Sequence, residues 1–222
     1  MFDRNNYKFD EYGVLHQINY EPFNYGSDYN FAYNKLGELG KRMAYLRLGF
    51  IAGSIGGYPT SICDVGVGNG DFISLCNEMD IRSKANDVTK IDLPPGVEWT
   101  DDPFNEMVDV LTMFDVLEHI PDLSFVRNIK ASYLVISCPN CLYPDNDTWM
   151  SNFKHLKPNE HLHHFNKESL VAFMRANGWE CKSINNLEDI IRKPSQGPEN
   201  IITAIFYKQP ALINQNNLWN KN

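Results

Sequence analysis

The chain has 222 residues, 43% hydrophobic, 13% aromatic and 22% charged, with a formal net charge of −8. That is enough to bury one sizeable core, too aromatic for a disordered chain, and too acidic for broad binding to phosphate backbones. No apolar run approaches the roughly 18 residues that span a bilayer, so the expected partner is a small molecule rather than nucleic acid or membrane. The five cysteines are an odd count, and the start "MFDRNNYKFDEYG" is polar and acidic rather than a signal peptide. Both features lead us to expect free thiols and a cytoplasmic protein, with oligomeric state left open.

The first 30 residues are an aromatic-rich lead-in in which "DEYG" suits the turn of a short hairpin. Residues 32–55 carry Leu36, Leu39, Met43, Leu46 and Phe50 at helical spacing, and Gly56, Gly57 and Pro59 stop that helix. An alternation of strands and helices follows. "SICDVGV" (61–67) reads as a buried strand and "GDFISLCNEM" (70–79) as a helix. "RSKANDV" (82–88), "GVEWT" (96–100) and "VDVLTMF" (108–114) read as the next three strands. "DLSFVRNI" (122–129) reads as a short helix and "SYLVISC" (132–138) as a fifth strand. "KESLVAFMRAN" (167–177) is helical, with Asn166 suited to cap its start and Gly178 to a left-handed position after its end. "ECKSIN" and "NIITAIFYK" (200–208) follow as two strands without a helix between them, expected as an antiparallel pair at one edge. Near-continuous apolar strands alternating with helices predict a mostly parallel, doubly wound α/β sheet covered on both faces. The link "TKIDLPPG" (89–96) is too short for a crossover helix, so one side is expected to be thinly covered.

The first strand runs into Gly66, Gly68 and Gly70. In such a sheet the ligand lies beyond the carboxyl ends of the strands, and glycines let the backbone pass close to it. Asp87 stands 21 residues beyond Gly66, where a carboxylate accepts both ribose hydroxyls. A dinucleotide and S-adenosylmethionine both fit this arrangement, and the charges separate them. Asp71 occupies the place of the third glycine of a dinucleotide loop, and Asp64 precedes the first glycine by two. Carboxylates repel a pyrophosphate and suit a ligand that carries an ammonium and a sulfonium.

With these residues the chain resembles the class I S-adenosylmethionine-dependent methyltransferases. "DVGVGNGDF" is similar to their first motif, and "VDVLTMFDVLEHIPD" to the fourth-strand signature of the subgroup that carries Leu-Glu-His. "LVISCPN" and "EHLHHFNKESLVAFMRANGWE" are similar to that subgroup's second half. Two departures stand out: "NIKAS" replaces a Lys-Pro-Gly-Gly turn, and the helix between strands two and three is lost. The resemblance implies a seven-stranded Rossmann-like sheet with the last strand inserted antiparallel. It implies cofactor contacts at Asp64, Gly66, Gly68, Gly70 and Asp87 and around Phe114, with Asp101 or Asp102 nearest to the adenine. Tyr25 and Tyr29 are candidates to cover the methionine end. The expected division is 1–58 as a lead-in and lid, 59–208 as the methyltransferase domain and 209–222 as a tail.

Methyl transfer from a sulfonium mainly requires alignment and exclusion of water, and a hydroxyl or carbon acceptor also needs a base. Four of the six histidines lie in "KHLKPNEHLHHFN" (154–166). His161, preceded by Glu160 as a carboxylate to hold its tautomer, is one candidate base, and His119 is the other. Such a Glu-His pair resembles the base of sugar C-methyltransferases, while Leu-Glu-His also occurs in O-methyltransferases acting on small phenols. Of His163 and His164, one is expected to face solvent and one to pack beneath the loop. The expectation is therefore a small-molecule methyltransferase without a metal. A zinc-bearing protein held by Cys138, Cys141, His155 and His161 is an alternative on spacing, and a non-catalytic cofactor-binding module is another.

Overall fold

The computed structural model describes residues 2–23, 37–192 and 199–209. Tyr25 and Tyr29 lie outside the described residues, as does the start of the helix expected from residue 32.

The aromatic lead-in folds as a hairpin, β1 (Tyr7–Phe9) and β2 (Leu15–Gln17). Its turn is the expected "DEYG": Asp10 accepts from the backbone N–H of Tyr12 at 2.9 Å and of Val14 at 2.8 Å, and Gly13 takes φ +82°. Helix α1 (Glu38–Ile55) ends where Gly56, at φ +86°, turns left-handed and donates to the Ala52 carbonyl.

Strand β3 (Ser61–Val65), helix α2 (Asp71–Glu78), β4 (Arg82–Asn86) and β5 (Glu98–Trp99) follow, with no helix between the last two. Then come β6 (Val110–Phe114), β7 (Tyr133–Pro139) and the short helix α3 (Asp147–Asn152). The histidine-rich stretch supplies β8 (His163–His164), which pairs with β2 to complete a three-stranded antiparallel sheet. Helix α4 (Lys167–Ala176) starts on a capping box in which Asn166 and Ser169 bond each other's backbone N–H groups. The remaining elements are β9 (Trp179–Asn185), α5 (Asp189–Arg192) and β10 (Ile201–Lys208). The segment "DLSFVRNI" forms a 3-10 helix over Leu123–Asn128.

The main sheet has seven strands in the order β5-β4-β3-β6-β7-β10-β9. Neighbours from β5 to β7 are parallel, and β10 is antiparallel to both β7 and β9. The expected terminal pair is antiparallel, but only β9 lies at the edge. β10 inserts between β7 and β9, which explains its run of six buried residues, Ile201 to Phe206.

Side chains alternate across the sheet into two cores. On one face α1 and α2 pack Leu48, Ile51, Phe72 and Ile73 against Ile62 and Val110. On the other, Leu170, Phe173 and Met174 of α4 pack with Leu111, Met113 and Ile136. Trp179 anchors the second face: it is 0% exposed, and its indole N–H donates to the Val126 carbonyl at 3.0 Å. Trp179→Ala leaves that carbonyl unpaired and a large cavity, so urea denaturation is expected to show a loss of about 3–5 kcal/mol.

Candidate active site

The parallel register sets β3 beside β6, with Asp64 opposite Thr112. Both strands therefore deliver their loops to the same edge. After β3, Gly66, Gly68 and Gly70 all adopt positive φ. At Gly66 a Cβ would stand 2.3 Å from a methyl of Val116, in the loop after β6, so only glycine fits. The Gly68 N–H donates to Asp87 at 3.0 Å, which ties the carboxylate just past β4 to the loop.

Two cavities meet over this loop. One, of about 490 Å³, has Gly66, Gly68, Asp87, Val88 and Phe104 on its wall. The other, of about 310 Å³, is walled by Arg47, Asp64, Glu118, His119 and His161. Gly66, Gly68, Phe114, Asp115 and His119 line both. A glycine cradle with Asp87 on one side and Asp64 on the other fits an adenosyl ligand that ends in cationic groups. Gly70 lies off both walls and serves as the left-handed residue ahead of α2, whereas Asp71 reaches the smaller cavity. Asp102 corrects an expectation. Its carboxylate accepts from Asn105 at 2.8 Å and lines neither cavity, while Phe104, two residues on, does.

Asp64 is 3% exposed and accepts from the Thr112 hydroxyl at 2.6 Å. Burial outweighs that bond and raises its pKa to about 7. Asp115 meets Arg192, and Arg47 stands 3.8 Å away. Burial opposes its charge, but the two guanidinium groups outweigh burial and lower its pKa. Glu188, fully buried, closes the network with Arg47 at 2.8 Å and Arg192 at 2.7 Å. Sequence reasoning singled out none of Arg47, Asp115, Glu188 and Arg192: Asp115 stands within the quoted fourth-strand motif, but its three partners lie far from it in sequence and match no motif.

Glu118 is 1% exposed, and neither of its carboxylate oxygens has a hydrogen-bond partner among the described residues. Burial, and then the charge of Asp115, push its pKa well above the carboxylate range. The signal for it stood in the quoted Leu-Glu-His, of which only the histidine was singled out.

His119 and His161 come together from segments 42 residues apart, their rings edge to face with centroids 4.7 Å apart. The loop is pinned beside β6 by the Leu162 N–H, which donates to the Glu118 carbonyl at 2.8 Å. His161 is 4% exposed, and burial lowers its pKa to about 2. Its Nδ1 donates to the His155 carbonyl at 2.8 Å, which leaves Nε2 as the acceptor nitrogen. That carbonyl, not Glu160, holds the tautomer. Glu160 comes no closer to the ring than 3.9 Å, because its carboxylate is taken by Lys157 at 2.8 Å.

The cysteine–histidine zinc set does not assemble. Cys138 lies in the core beneath α4, whereas Cys141 packs in a separate cluster with its sulfur against Met150 at 3.4 Å. His155 bonds Asn200 at 2.8 Å. His163 and His164 do point apart, but neither faces solvent. His163 bonds His16 at 2.7 Å and the Ile120 carbonyl at 2.9 Å, and His164 packs on Tyr7. The N-terminal hairpin covers both.

The model of the family described as methyltransferase domain matches residues 32–184, and the chain belongs to that family. By family and fold it is a class I S-adenosylmethionine-dependent methyltransferase. The solved 1,6-didemethyltoxoflavin-N1-methyltransferase of Burkholderia thailandensis, with its substrate and S-adenosylhomocysteine bound, is similar at 15% identity. It matches over 92% of this chain and 100% of its own, with a TM-score of 0.56. A methyltransferase of Archaeoglobus fulgidus is 19% identical over 76% of this chain and 94% of its own, with a TM-score of 0.51. At such identities the likeness carries the fold. No curated protein matches the chain.

Asp64 yields a prediction. Its folded pKa of about 7 lies above the unfolded value of about 3.9, so the native state binds the extra proton between them. Stability therefore falls as pH rises through that window. The melting temperature of Asp64→Asn relative to wild type is expected to change little near pH 4 and to gain most by about pH 8.

Proposed function

We propose that the protein methylates a small molecule bearing a hydroxyl, held in the smaller cavity, with the cofactor along the glycine loop and Asp87. The carrying observation is the meeting of the two cavities at Phe114, Asp115 and His119. S-adenosylmethionine, when bound, supplies a methyl group activated by its sulfonium. Asp87 is suited to accept the ribose hydroxyls, and Asp64 to face the cationic end. The cavity walls align the acceptor.

The Burkholderia enzyme is named for methylation at nitrogen. Here the wall opposite the cofactor loop carries two imidazoles and a carboxyl, which supports an acceptor that must lose a proton. We assign proton removal to His119, with His161, whose lowered pKa makes it a weak base, accepting a hydrogen bond from the hydroxyl at Nε2 to orient it. Burial lowers the pKa of both histidines, so each is neutral near pH 7 and able to interact with a hydroxyl through a lone pair. A sugar or a phenol fits this chemistry, as does a carbon acid. An open acceptor cavity of about 310 Å³ favours an enzyme over a binding module.

Calorimetry with S-adenosylhomocysteine is expected to show binding that Asp87→Ala weakens by about tenfold or more. In an assay of homocysteine-nucleoside release over a panel of sugars and phenols, His161→Ala and His119→Ala should each lose about 10²–10⁴-fold in turnover. Full turnover by both variants would remove the histidines from the reaction and leave alignment as the whole catalysis.

A further inference from the structure

Glu118 is the one fully buried carboxylate at this edge whose two oxygens both lack a hydrogen-bond partner among the described residues. A carboxylate so placed is costly unless a cation or donor meets it. It faces two imidazoles, and one donor atom each from Glu118, His119 and His161 lies within 4.8 Å of the others. Three donors of one first-row ion at ordinary bond lengths stand about 3–3.8 Å apart, so side-chain movements of about 1 Å close the set.

The rings are already oriented. The His155 carbonyl holds Nδ1 of His161, and the Glu160 backbone bonds the His119 ring. An imidazole tied to the backbone through one nitrogen presents the other in a fixed direction, the usual arrangement around a metal. The neighbouring cations do not oppose an incoming ion unscreened. Lys157 is paired with Glu160, and Arg192 with Asp115 and Glu188.

We propose that Glu118, His119 and His161 form a site for one divalent first-row transition ion, such as Zn²⁺ or Mn²⁺, open towards the acceptor cavity. Two imidazoles and one carboxylate favour such ions over Mg²⁺ or Ca²⁺, which take all-oxygen sets. The role in catalysis rests on the acceptor reading above and deepens it: the substrate is an oxygen acceptor whose hydroxyl oxygen approaches the ion. Its proton, made more acidic by the cation, passes to water. The oxygen then bonds to the methyl carbon as the carbon–sulfur bond breaks, and that electron pair stays on sulfur. Both histidines then act as ligands, and their loss abolishes turnover through the ion.

The test uses the full chain stripped by chelation and titrated with Zn²⁺ or Mn²⁺, read by calorimetry and melting temperature. One ion per chain and a raised melting temperature are expected. Glu118→Gln and His161→Gln should each weaken binding at least about tenfold, and Cys141→Ser should leave it unchanged. S-adenosylhomocysteine binding, equal in all forms, verifies that the variants are folded. Ion binding that both Glu118→Gln and His161→Gln retain in full, or that only Cys141→Ser removes, overturns the site. Hydroxyl methylation undiminished by stripping overturns its catalytic role. Wild-type protein that takes up the ion but not S-adenosylhomocysteine overturns the cofactor reading instead and leaves the site standing.

Discussion

Desolvation of carboxylates at one edge of the sheet governs the rest of this structure. Asp64 and Glu118 are buried there and Asp115 half-buried, all on the walls of one pair of cavities, and Glu188 is buried against Arg47 and Arg192. Water cannot compensate them, so each depends on what the fold supplies. Glu188 has two guanidinium groups and Asp115 shares them, which binds α1 and α5 to the end of β6. Asp64 has only one hydroxyl, from Thr112. The Glu118 carboxyl has no hydrogen-bond partner among the described residues. The first two carboxylates hold the architecture. The last two keep unmet capacity for positive charge, and they face the space where a ligand would lie.

The fold was legible because its signals are local. Apolar runs gave the strands, Gly56, Asn166 and Gly178 marked helix ends, and "DEYG" gave a turn whose carboxylate bonds are short-range. The place of β10 was not legible from its own residues. An edge strand and an inserted strand differ in how many neighbours they pair with, and the run "IITAIF" only later shows itself as buried on both sides. The 3-10 form of Leu123–Asn128 was also hidden, since its burial of Leu123 and Val126 suits either helix.

The candidate site was legible in part, and for a different reason. The glycine loop and Asp87 lie close in sequence at fixed spacing, so the sequence alone brought them to one edge. Asp102 did not follow that rule. The connection after β5 turns through Pro103, which directs Phe104 inward and leaves Asp102 to its own turn. The ion network of Arg47, Asp115, Glu188 and Arg192 depends wholly on tertiary packing, and no spacing announces it. Glu118 stands inside the quoted Leu-Glu-His, and only its place in the fold sets it apart. A glutamate beside a histidine reads as that histidine's partner, yet the two side chains approach no closer than 3.9 Å, and the carboxyl is buried on its own account.

The histidine-rich stretch shows how a loop becomes part of a wall. Taken alone it has the composition of an exposed segment, but β8 pairs with the N-terminal hairpin, and Gln17 bonds the Leu162 backbone at 2.8 Å. Leu162 in turn bonds Glu118. Three elements from distant parts of the chain therefore fix His161 against His119 through backbone bonds, which are shorter levers than side chains. His161, two residues before β8, lines the smaller cavity, whereas within β8 His163 bonds the Ile120 carbonyl and His164 packs on Tyr7. The hairpin thus takes up His163 and His164, while His155 and His161 of the same stretch line the cavity. An imidazole there is held by packing rather than by its own flexibility, which is what a group that must meet a reacting oxygen or an ion requires.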